Sequence, residues 1–411
     1  MTTSPAREST SPARPGGTGS GSLPVVRLLA FTTAGFLAIM TETMPAGLLP
    51  RISAGLHISE ALAGQFVSLY ALGSVCSAVP VIAATRRAPR RHVLLAAVVG
   101  LLVFNTVTAL SGQWVLTLAA RFCAGASSGV VWGLLTGYTR RLVPARLQGR
   151  ALALVGVGQP VALAFGVPLG TWLGSLVDWR GVFWIMSAVA LLLLLWIRLL
   201  VPQMPGGPAG PGTPPGAALT IPGVRTVLAV TLLWVLAHNL LYTYIAPFLA
   251  TSGLGGRVDV VLLVFGVAAM AGIWVTGLLV DRRPRPVTLS SLAVFAAAAL
   301  ALGLSAGLPA VVFAGTAAWG LTFGGAPTLL QTALADAAEP HTDVAQSMFV
   351  TVFNGAIAVA GLLGGTVLGR LGSGALPWGQ SVLCGGALLL VALARRHAFR
   401  PGPRAAGGEE G

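Results

Sequence analysis

The chain has 411 residues, of which 55% are hydrophobic and only 9% are charged. About a quarter of the residues in a soluble globular domain are charged, so this chain has too little polar surface to coat a soluble particle. Its 25 basic residues, all of them arginine, outnumber its 11 acidic residues and give a formal charge of +14. We attribute this excess to topology signals and contacts with anionic lipid, and expect no nucleic acid partner.

Apolar runs of about 20 residues, the length that crosses a hydrocarbon core of about 30 Å, recur along the chain. They predict an all-α membrane protein of twelve transmembrane helices. The predicted helices lie near residues 25–49, 61–84, 92–111, 114–138, 150–176, 181–201, 224–250, 258–280, 287–306, 309–334, 345–370 and 376–396.

The composition between these runs predicts five segments. Residues 1–24 and 397–411 are expected to be disordered cytoplasmic tails, and residues 202–223, rich in Pro and Gly, a cytoplasmic linker. The linker separates two six-helix bundles, 25–201 and 224–396.

Short sequence matches indicate that the two bundles are copies of one unit. Gly170-Thr171 recurs as Gly365-Thr366 and Pro89-Arg90 as Pro284-Arg285, both at an offset of 195, while Trp132-Gly133-Leu134 recurs as Trp319-Gly320-Leu321 at 187. Two parallel six-helix repeats place a substrate cavity between the halves, near the middle of the membrane.

The positions of the arginines predict the orientation, because basic loops stay on the cytoplasmic side. A cytoplasmic N-terminus places twenty of the 25 arginines in the cytoplasm and four, Arg51 among them, on the other side. Arg121 lies within a helix. We therefore expect a multi-pass protein of the cell membrane with both termini in the cytoplasm, and we expect a monomer.

Two charges lie at membrane depth, Glu42 in the first helix and Arg121 in the fourth. Charges there are costly and face the protein interior. If each lies about seven residues from the outer end of its helix, the two share a depth. A buried carboxylate beside an arginine can alternate between protonated and ionised forms, as proton coupling requires. The alternative is a static ion pair that joins the two helices.

Other polar and aromatic residues predicted in the helices are candidates for lining the cavity, the densest group lying in the seventh helix. The alternative for each is packing or interhelical hydrogen bonding. The candidates are Trp132, Gln159, His238, Asn239, Tyr242, Tyr244, Trp319 and Asn354.

Two local motifs suggest mechanical roles. Gly277, Asp281, Arg282 and Arg285, at the end of the eighth helix and after it, predict a conformational latch, in which the glycine permits close helix contact. The alternative is a loop that only sets topology. Glycines and prolines thin and bend the fifth helix around Gly166, Pro168 and Gly170.

No P-loop, catalytic motif or metal-ligand spacing occurs in the sequence. The three cysteines lie in apolar runs without disulfide or metal spacing and are expected to be small core residues. We therefore expect neither an enzyme nor a bound metal or cofactor, and transport driven by the proton gradient.

These motifs together resemble the major facilitator superfamily, in particular its twelve-helix drug:proton antiporters. The resemblance rests on the Gly277 to Arg285 loop, on Arg121-Phe122 followed by Gly125 and Gly129, and on Gly166-Val167-Pro168-Leu169-Gly170, where that family normally has Gly-Pro. It implies a proton-coupling role for Arg121. Glu42 to Pro50 and Tyr242 to Phe248 are similar to the subgroup of chloramphenicol-resistance and arabinose-efflux transporters.

The resemblance implies a proton-coupled antiporter that exports small amphipathic molecules, such as a chloramphenicol-type antibiotic or a related metabolite. Its expected partners are a small-molecule substrate, protons and membrane lipid. One alternative is efflux of a sugar or sugar-like metabolite by the same machinery. A second, of another class, is a membrane receptor or scaffold that does not transport.

Overall fold

The computed structural model describes residues 23–85, 87–206, 220–221, 223–338, 342–394 and 398–399. Every regular element in these ranges is helical, as the composition predicts. Most of both predicted tails and most of the predicted linker lie outside the described residues.

Twelve helical segments follow one another along the described chain. We number them α1 (Val25–Leu56), α2 (Glu60–Ala84), α3 (Arg90–Leu110), α4 (Trp114–Leu142), α5 (Gln148–Gly156, Gly158–Val161, Ala162–Gly166 and Val167–Leu176), α6 (Asp178–Leu200), α7 (Val224–Tyr242 and Ile245–Thr251), α8 (Val258–Leu279), α9 (Pro284–Leu304), α10 (Pro309–Gly324 and Ala326–Ala338), α11 (Thr342–Leu371) and α12 (Leu376–Leu393). Eleven candidate spans are long and apolar enough to cross a membrane. The remaining segment, α10, is long enough only when its two pieces around Gly325 are taken together.

Proline accounts for two of the interruptions within these helices, one in α5 and one in α7. Pro168 follows the π-helical turn Ala162–Gly166 of α5, and Pro247 follows the break in α7. Proline supplies no backbone N–H, so each one frees the carbonyl four residues before it. Non-helical backbone at membrane depth persists only where protein or a water-filled space satisfies it.

The first helix is longer than the sequence predicts. It continues through Pro45 and Pro50 to Leu56, where His57 ends it in a left-handed conformation (φ 55°). The predicted loop position of Arg51 is therefore wrong, because Arg51 lies in the last turns of α1 and donates a hydrogen bond to the carbonyl of Gly174 in α5. Packing against α5 stabilises the helix beyond Pro50.

Equivalent helix contacts support the parallel repeat and correct one part of it. Gly125 of α4 packs on the backbone of Tyr70 in α2, and Gly320 of α10 packs on the backbone of Phe265 in α8. Each residue of the second pair lies 195 positions after its counterpart in the first. The predicted match between Trp132 and Trp319, at 187, is therefore out of register by two helical turns.

The two halves meet mainly toward one end of the bundle. We call the end that carries the α1–α2 and α7–α8 connections the loop end, and the end that carries residues 25 and 393 the termini end. The helices that pack across the halves are α2 with α11, α5 with α8, and α1 with the second piece of α7 and with α8. Within the described chain, α4 and α10 do not pack across the halves in this way.

Glycines at the interface show the same asymmetry. In α11, Gly361 and Gly365 lie against residues of α2, whereas an added Cβ at Gly355, nearer the termini end, would meet no atom within 4 Å. Gly266, in the loop-end half of α8, packs across the interface on Ala164 of α5. The interior is therefore closed toward the loop end and open toward the termini end.

Candidate functional site

Close packing of α2 on α4 sets the position of Arg121. Gly125 lies against the backbone of Tyr70, and Gly73 lies against the carbonyl of Phe122, so a side chain at either glycine would clash with backbone. Small residues permit such close approach between membrane helices. Arg121, one turn before Gly125, is held by this contact at the junction of α1, α2 and α4.

A proline in α1 provides a backbone acceptor for Arg121. Pro45 has no backbone N–H, so the carbonyl of Thr41, four residues earlier, has no helical partner. Nη2 of Arg121 donates a hydrogen bond to that carbonyl, and its Nε donates to the carbonyl of Phe66 over 3.4 Å. The amide of Asn105 donates to the Thr41 hydroxyl over 3.1 Å. Thr41 is thus tied to both α3 and α4.

The guanidinium of Arg121 is fully enclosed, with 0% of the residue exposed. It lies over the Tyr70 ring at 4.8 Å and over the Phe183 ring at 5.7 Å, both favourable cation–π positions. Its Nη1 is buried and has no hydrogen-bond partner. A buried, unused donor on a charged group is costly, so this atom is available to an anionic group that approaches it.

Glu42 is the nearby anionic group. Its side chain is 7% exposed and interacts electrostatically with Arg121. Among the described residues, no hydrogen bond and no ion pair within 4.0 Å involves its carboxylate. Its oxygens are absent from the fully enclosed polar atoms that lack a partner, so they retain contact with the interior space. Glu42 and Arg121 are neighbours without a direct ion pair in this conformation.

The predicted outer end of α1, from which Glu42 and Arg121 were expected to share a depth, is wrong. Glu42 lies fourteen residues before Leu56, the end of α1, whereas Arg121 lies seven residues after Trp114, the start of α4. The two helices therefore end at different heights. The residues are still close, because Arg121 contacts Thr41, which precedes Glu42 in the chain.

In the second half, five side chains form an aromatic cluster, which we define as His238, Tyr242, Phe265, Trp319 and Phe323. The His238 ring stacks on Phe323 with centroids 3.6 Å apart and lies 5.0 Å from Tyr242. The indole Nε1 of Trp319 donates to Nδ1 of His238 over 3.1 Å. Because Nδ1 accepts this bond, the neutral ring carries its proton on Nε2.

Three polar groups of this region bear on binding. Nε2 of His238 has no partner among the described residues and is not fully enclosed, so it faces the interior space. The hydroxyl of Tyr242 is buried without a partner. Asn239, 8% exposed, donates through its amide nitrogen to Val235 in its own helix. The predicted residues His238, Asn239, Tyr242 and Trp319 thus lie together.

Tyr244 lies elsewhere, and the structure corrects its predicted cavity position. Its ring packs against Gly64 of α2 and against Gly364 of α11, and the residue is 0% exposed. Its hydroxyl donates to the carbonyl of Gly361 over 2.6 Å and lies 3.4 Å from the carbonyl of Ala61. Tyr244 therefore bridges the two halves near the loop end, beyond the break in α7 that turns it away from the aromatic cluster.

The other predicted cavity residues lie apart from both the Glu42–Arg121 pair and the aromatic cluster. Trp132 is half-buried with its ring against Gly35 of α1. Gln159 is half-buried in α5, and Asn354, also half-buried, donates to the carbonyl of Val350 in its own helix. No hydrogen bond or ring contact within the described part of the chain joins these three to Glu42 or to His238.

The glycine and proline motif of α5 packs against α1. Gly166 lies against Met40 and Phe36, and Gly170 lies against Met44. Pro168, which is buried, follows the π-helical turn. The small residues bring α5 onto α1 at Phe36, Met40 and Met44, and they therefore fix the segment of α1 that carries Glu42.

The structure supports only part of the predicted latch formed by Gly277, Asp281, Arg282 and Arg285. No atom lies within 4 Å of a Cβ built at Gly277, so the close helix contact predicted there is wrong; Gly272 of the same helix makes such a contact, with the carbonyl of Leu321. Asp281 and Arg282 are exposed. Arg285 is 7% exposed and donates to the carbonyls of Ala392, Ala394 and Phe399, so it caps the end of α12.

Several residues of the site were not predicted. Thr41 acts through its backbone carbonyl, and the available signal was a proline four residues later inside an apolar run. Phe265 and Phe323 complete the aromatic cluster, but phenylalanine in a membrane helix is too common to identify. Gln65, whose amide lies 3.4 Å from the carbonyl of Gly361, joins Tyr244 at the contact between halves.

Comparison with known proteins agrees with this architecture. The family description Major Facilitator Superfamily matches residues 31–341. The crystal structure of the human organic anion transporter MFSD10 (TETRAN) has a TM-score of 0.66, with 17% identity over 90% of this chain and 100% of that chain. That similarity concerns the fold.

Three curated relatives span most of the chain. The transcription regulatory protein OpdE of Pseudomonas aeruginosa is 30% identical over 89% of this chain and 91% of that protein. The probable sugar efflux transporter of Mannheimia succiniciproducens is 27% identical over 84% and 88%. The purine ribonucleoside efflux pump NepI of Escherichia coli is 31% identical over 81% and 85%.

The family match agrees with the twelve spans in two repeats. It also agrees with a site in the interior of the bundle. The relatives named as efflux proteins match 84% and 81% of this chain. This chain belongs to the Major Facilitator Superfamily and is a membrane-embedded transporter of that family.

Proposed function

We propose that this transporter exports small amphipathic molecules in exchange for protons, with Glu42 as the proton carrier and Arg121 as its charge partner. The observation that carries the proposal is the arrangement of these two side chains. Arg121 is buried and hydrogen-bonded to the free carbonyl of Thr41, and it keeps one unused donor, Nη1, near a carboxylate that has no fixed partner.

The proton step follows from the cost of buried charge. While Glu42 carries a proton it is neutral and needs no ion pair, which agrees with the absence of one here. When the proton leaves for the interior space, the carboxylate becomes anionic, and Nη1 of Arg121 can donate to it. This new bond adds to the bond from Nη2 to Thr41, so the protonation state of Glu42 affects how firmly α1 is held to α4.

Rocking of the two halves supplies the alternation between sides. We propose that the termini end is cytoplasmic, on the strength of the arginine distribution. The conformation described here is then open to the cytoplasm and closed to the outside at the contact between α2, α7 and α11. In this orientation Glu42 releases its proton inward and the substrate binds from the cytoplasm. Reopening at the loop end releases substrate outward and reloads the proton.

The aromatic cluster indicates the kind of substrate. Stacked aromatic rings beside Nε2 of His238 and the Tyr242 hydroxyl suit a molecule with a planar or apolar part and few polar groups. A chloramphenicol-type compound fits this description. So does a purine ribonucleoside, the substrate class named for one relative.

Efflux of a sugar is the second candidate, because relatives carry that name. A sugar site needs several convergent polar side chains. Among the described residues, His238, Asn239 and the Tyr242 hydroxyl are the polar groups of the aromatic cluster and its helix that could serve this purpose, which argues against a sugar. A regulatory role is the third candidate, since the relative OpdE is named as a transcription regulatory protein.

Transport by inverted membrane vesicles tests the proposal. Vesicles carrying the full chain are given a proton gradient, acidic inside, and labelled chloramphenicol, guanosine or arabinose in turn. The proposal expects gradient-dependent uptake of at least one of the first two. Glu42→Gln should abolish that uptake, whereas Glu60→Gln, an acid at the loop end of α2, serves as the matched control and should retain it.

Each of the other outcomes of this experiment would contradict a different part of the proposal. Uptake of arabinose alone would favour the sugar exporter. No uptake of any compound, with correctly inserted protein, would favour the regulatory alternative. Unchanged gradient-driven uptake by Glu42→Gln would remove the proton carrier from this position.

A further inference from the structure

A separate pocket lies at the termini end of the first half, away from the interior site. It is formed by the ends of α2 and α4, the start of α3 and the chain that follows α6. Its lining residues are Ile82, Arg90, Gly133, Leu134, Gly137, Tyr138, Arg141 and Met204.

Missing side chains on α4 create this space. Gly137 is exposed, and a Cβ there would meet no atom within 4 Å. Gly133 lies one turn earlier and meets only the side chain of Ile82 closely. The floor between these glycines and Leu134 is apolar, so the pocket can take a hydrocarbon group.

The chain after α6 closes one side of the pocket and is held in place. The backbone N–H of Arg90 donates to the carbonyl of Met204 over 2.9 Å, and Nη1 of Arg141 donates to the carbonyl of Pro205 over 3.0 Å. The hydroxyl of Tyr138 donates to the carbonyl of Pro202. The pocket is therefore formed before any ligand arrives.

The charge of the lining is positive. Arg90 and Arg141 interact with each other as like charges, and the lining contains no acidic residue. The described acids of the first half are Glu42, Glu60 and Asp178, in the interior or at the loop end. An anion between the two guanidiniums would relieve their repulsion and accept hydrogen bonds from Arg141.

The position in the membrane identifies the source of that anion. Ile82 lies in the last turn of α2, Arg141 in the last turn of α4 and Arg90 at the first residue of α3, so the pocket lies where the helices leave the hydrocarbon core. Val81, beside it, is exposed. Basic pockets between helices at this level bind anionic headgroups.

We propose that this pocket binds one anionic phospholipid, with the headgroup phosphate between Arg90 and Arg141 and the start of an acyl chain along Gly133, Gly137 and Ile82. Inorganic phosphate shares the headgroup chemistry but cannot use the apolar floor. The proposal does not depend on proton coupling or on the identity of the substrate.

Native mass spectrometry of the full chain in detergent tests the site. Protein stripped of lipid is titrated with phosphatidylglycerol or with phosphatidylcholine of the same acyl chains, and the first bound lipid is counted. The site predicts preferential binding of phosphatidylglycerol. Arg141→Gln should weaken it about fivefold, the effect of about 1 kcal/mol per arginine at a membrane surface.

Two further variants separate the pocket from general surface charge. Gly137→Leu keeps both arginines and fills the floor, so it should also weaken the first phosphatidylglycerol. Arg140→Gln removes a neighbouring exposed arginine that does not line the pocket and should leave binding unchanged. If Arg140→Gln weakens binding as much as Arg141→Gln, or if Gly137→Leu has no effect, the pocket assignment is wrong. If equimolar inorganic phosphate displaced the lipid, the proposal that the bound anion is a phospholipid headgroup would be wrong.

Discussion

The guanidinium of Arg121 donates a hydrogen bond to the backbone carbonyl of Thr41, an acceptor that exists because Pro45 lacks an N–H. Glu42 is the next residue in the chain. Pro45, the buried Arg121 and the proposed proton carrier Glu42 therefore form one unit, in which a change of charge at Glu42 alters what holds α1 to α4.

Pro45→Ala tests this unit. The new amide at position 45 restores the helical bond to Thr41 and competes with Arg121 for the same carbonyl. A hydrogen bond to a charged group is worth about 1.5 kcal/mol, so we expect proton-driven transport to fall by about tenfold while the thermal unfolding midpoint stays the same or rises. Pro50→Ala, the other proline inside α1, is the control and should transport normally. Equal transport by Pro45→Ala and wild type would show that the carbonyl is dispensable.

Two glycines of α8 should respond differently to alanine. Gly272 lies against the backbone carbonyl of Leu321, which cannot move without displacing α10, so Gly272→Ala should lower the free energy of unfolding by about 1–3 kcal/mol. Gly277→Ala meets open space and should be neutral or slightly stabilising, since alanine favours helix. Thermal unfolding of both variants in detergent measures the difference. The reverse order of stabilities would mean that α8 is rotated from the orientation described here.

Tyr244→Phe removes the hydroxyl that joins α7 to α11 and α2. The loss of about 1 kcal/mol should raise the ratio of outward-open to inward-open protein about fivefold. Spin labels at Leu62 and Leu371, both exposed near the loop end, report this opening as a longer distance in a background without the native cysteines. Tyr242→Phe, whose hydroxyl has no partner, is the control. An unchanged distance distribution in Tyr244→Phe would remove the hydroxyl from the closing contact.

Trp319→Phe keeps an aromatic ring in the cluster but removes the donor to His238. The imidazole can then rotate or change tautomer, and its Nε2–H is no longer fixed toward the interior. We expect KM for an exported compound to rise about fivefold with little change in the maximal rate, as for the loss of a ground-state contact. Trp274→Phe, 68% exposed on the lipid face of α8, should have no effect. A fall in rate with unchanged KM would assign Trp319 to the conformational change instead.

The twelve spans and the two buried charges could be predicted from the sequence for the same reason. Hydrocarbon accepts only helices that satisfy their own backbone, so long apolar runs fix the fold class. A charge inside such a run must face the interior, which singled out Glu42 and Arg121. Neither prediction depends on how the helices are rotated about their axes.

The sequence-based predictions were wrong where they depended on the rotation of a helix about its axis or on its register. Gly272 and Gly277 are both glycines of one apolar helix, and only packing decides which of them faces α10. Tyr242 and Tyr244 are two residues apart, but the break between the pieces of α7 directs one to the aromatic cluster and the other to α2 and α11. Apolar helices carry little sequence signal for these choices, since lipid and protein interior favour the same side chains.

The most direct test of the account separates substrate movement from proton movement in one variant. Glu42→Gln mimics the protonated carboxyl, so in proteoliposomes without a gradient it should still exchange labelled for unlabelled substrate across the membrane at a rate near that of wild type. The same variant should show no accumulation when a proton gradient is imposed. Accumulation by Glu42→Gln at the wild-type level would contradict the assignment of Glu42 as the proton carrier.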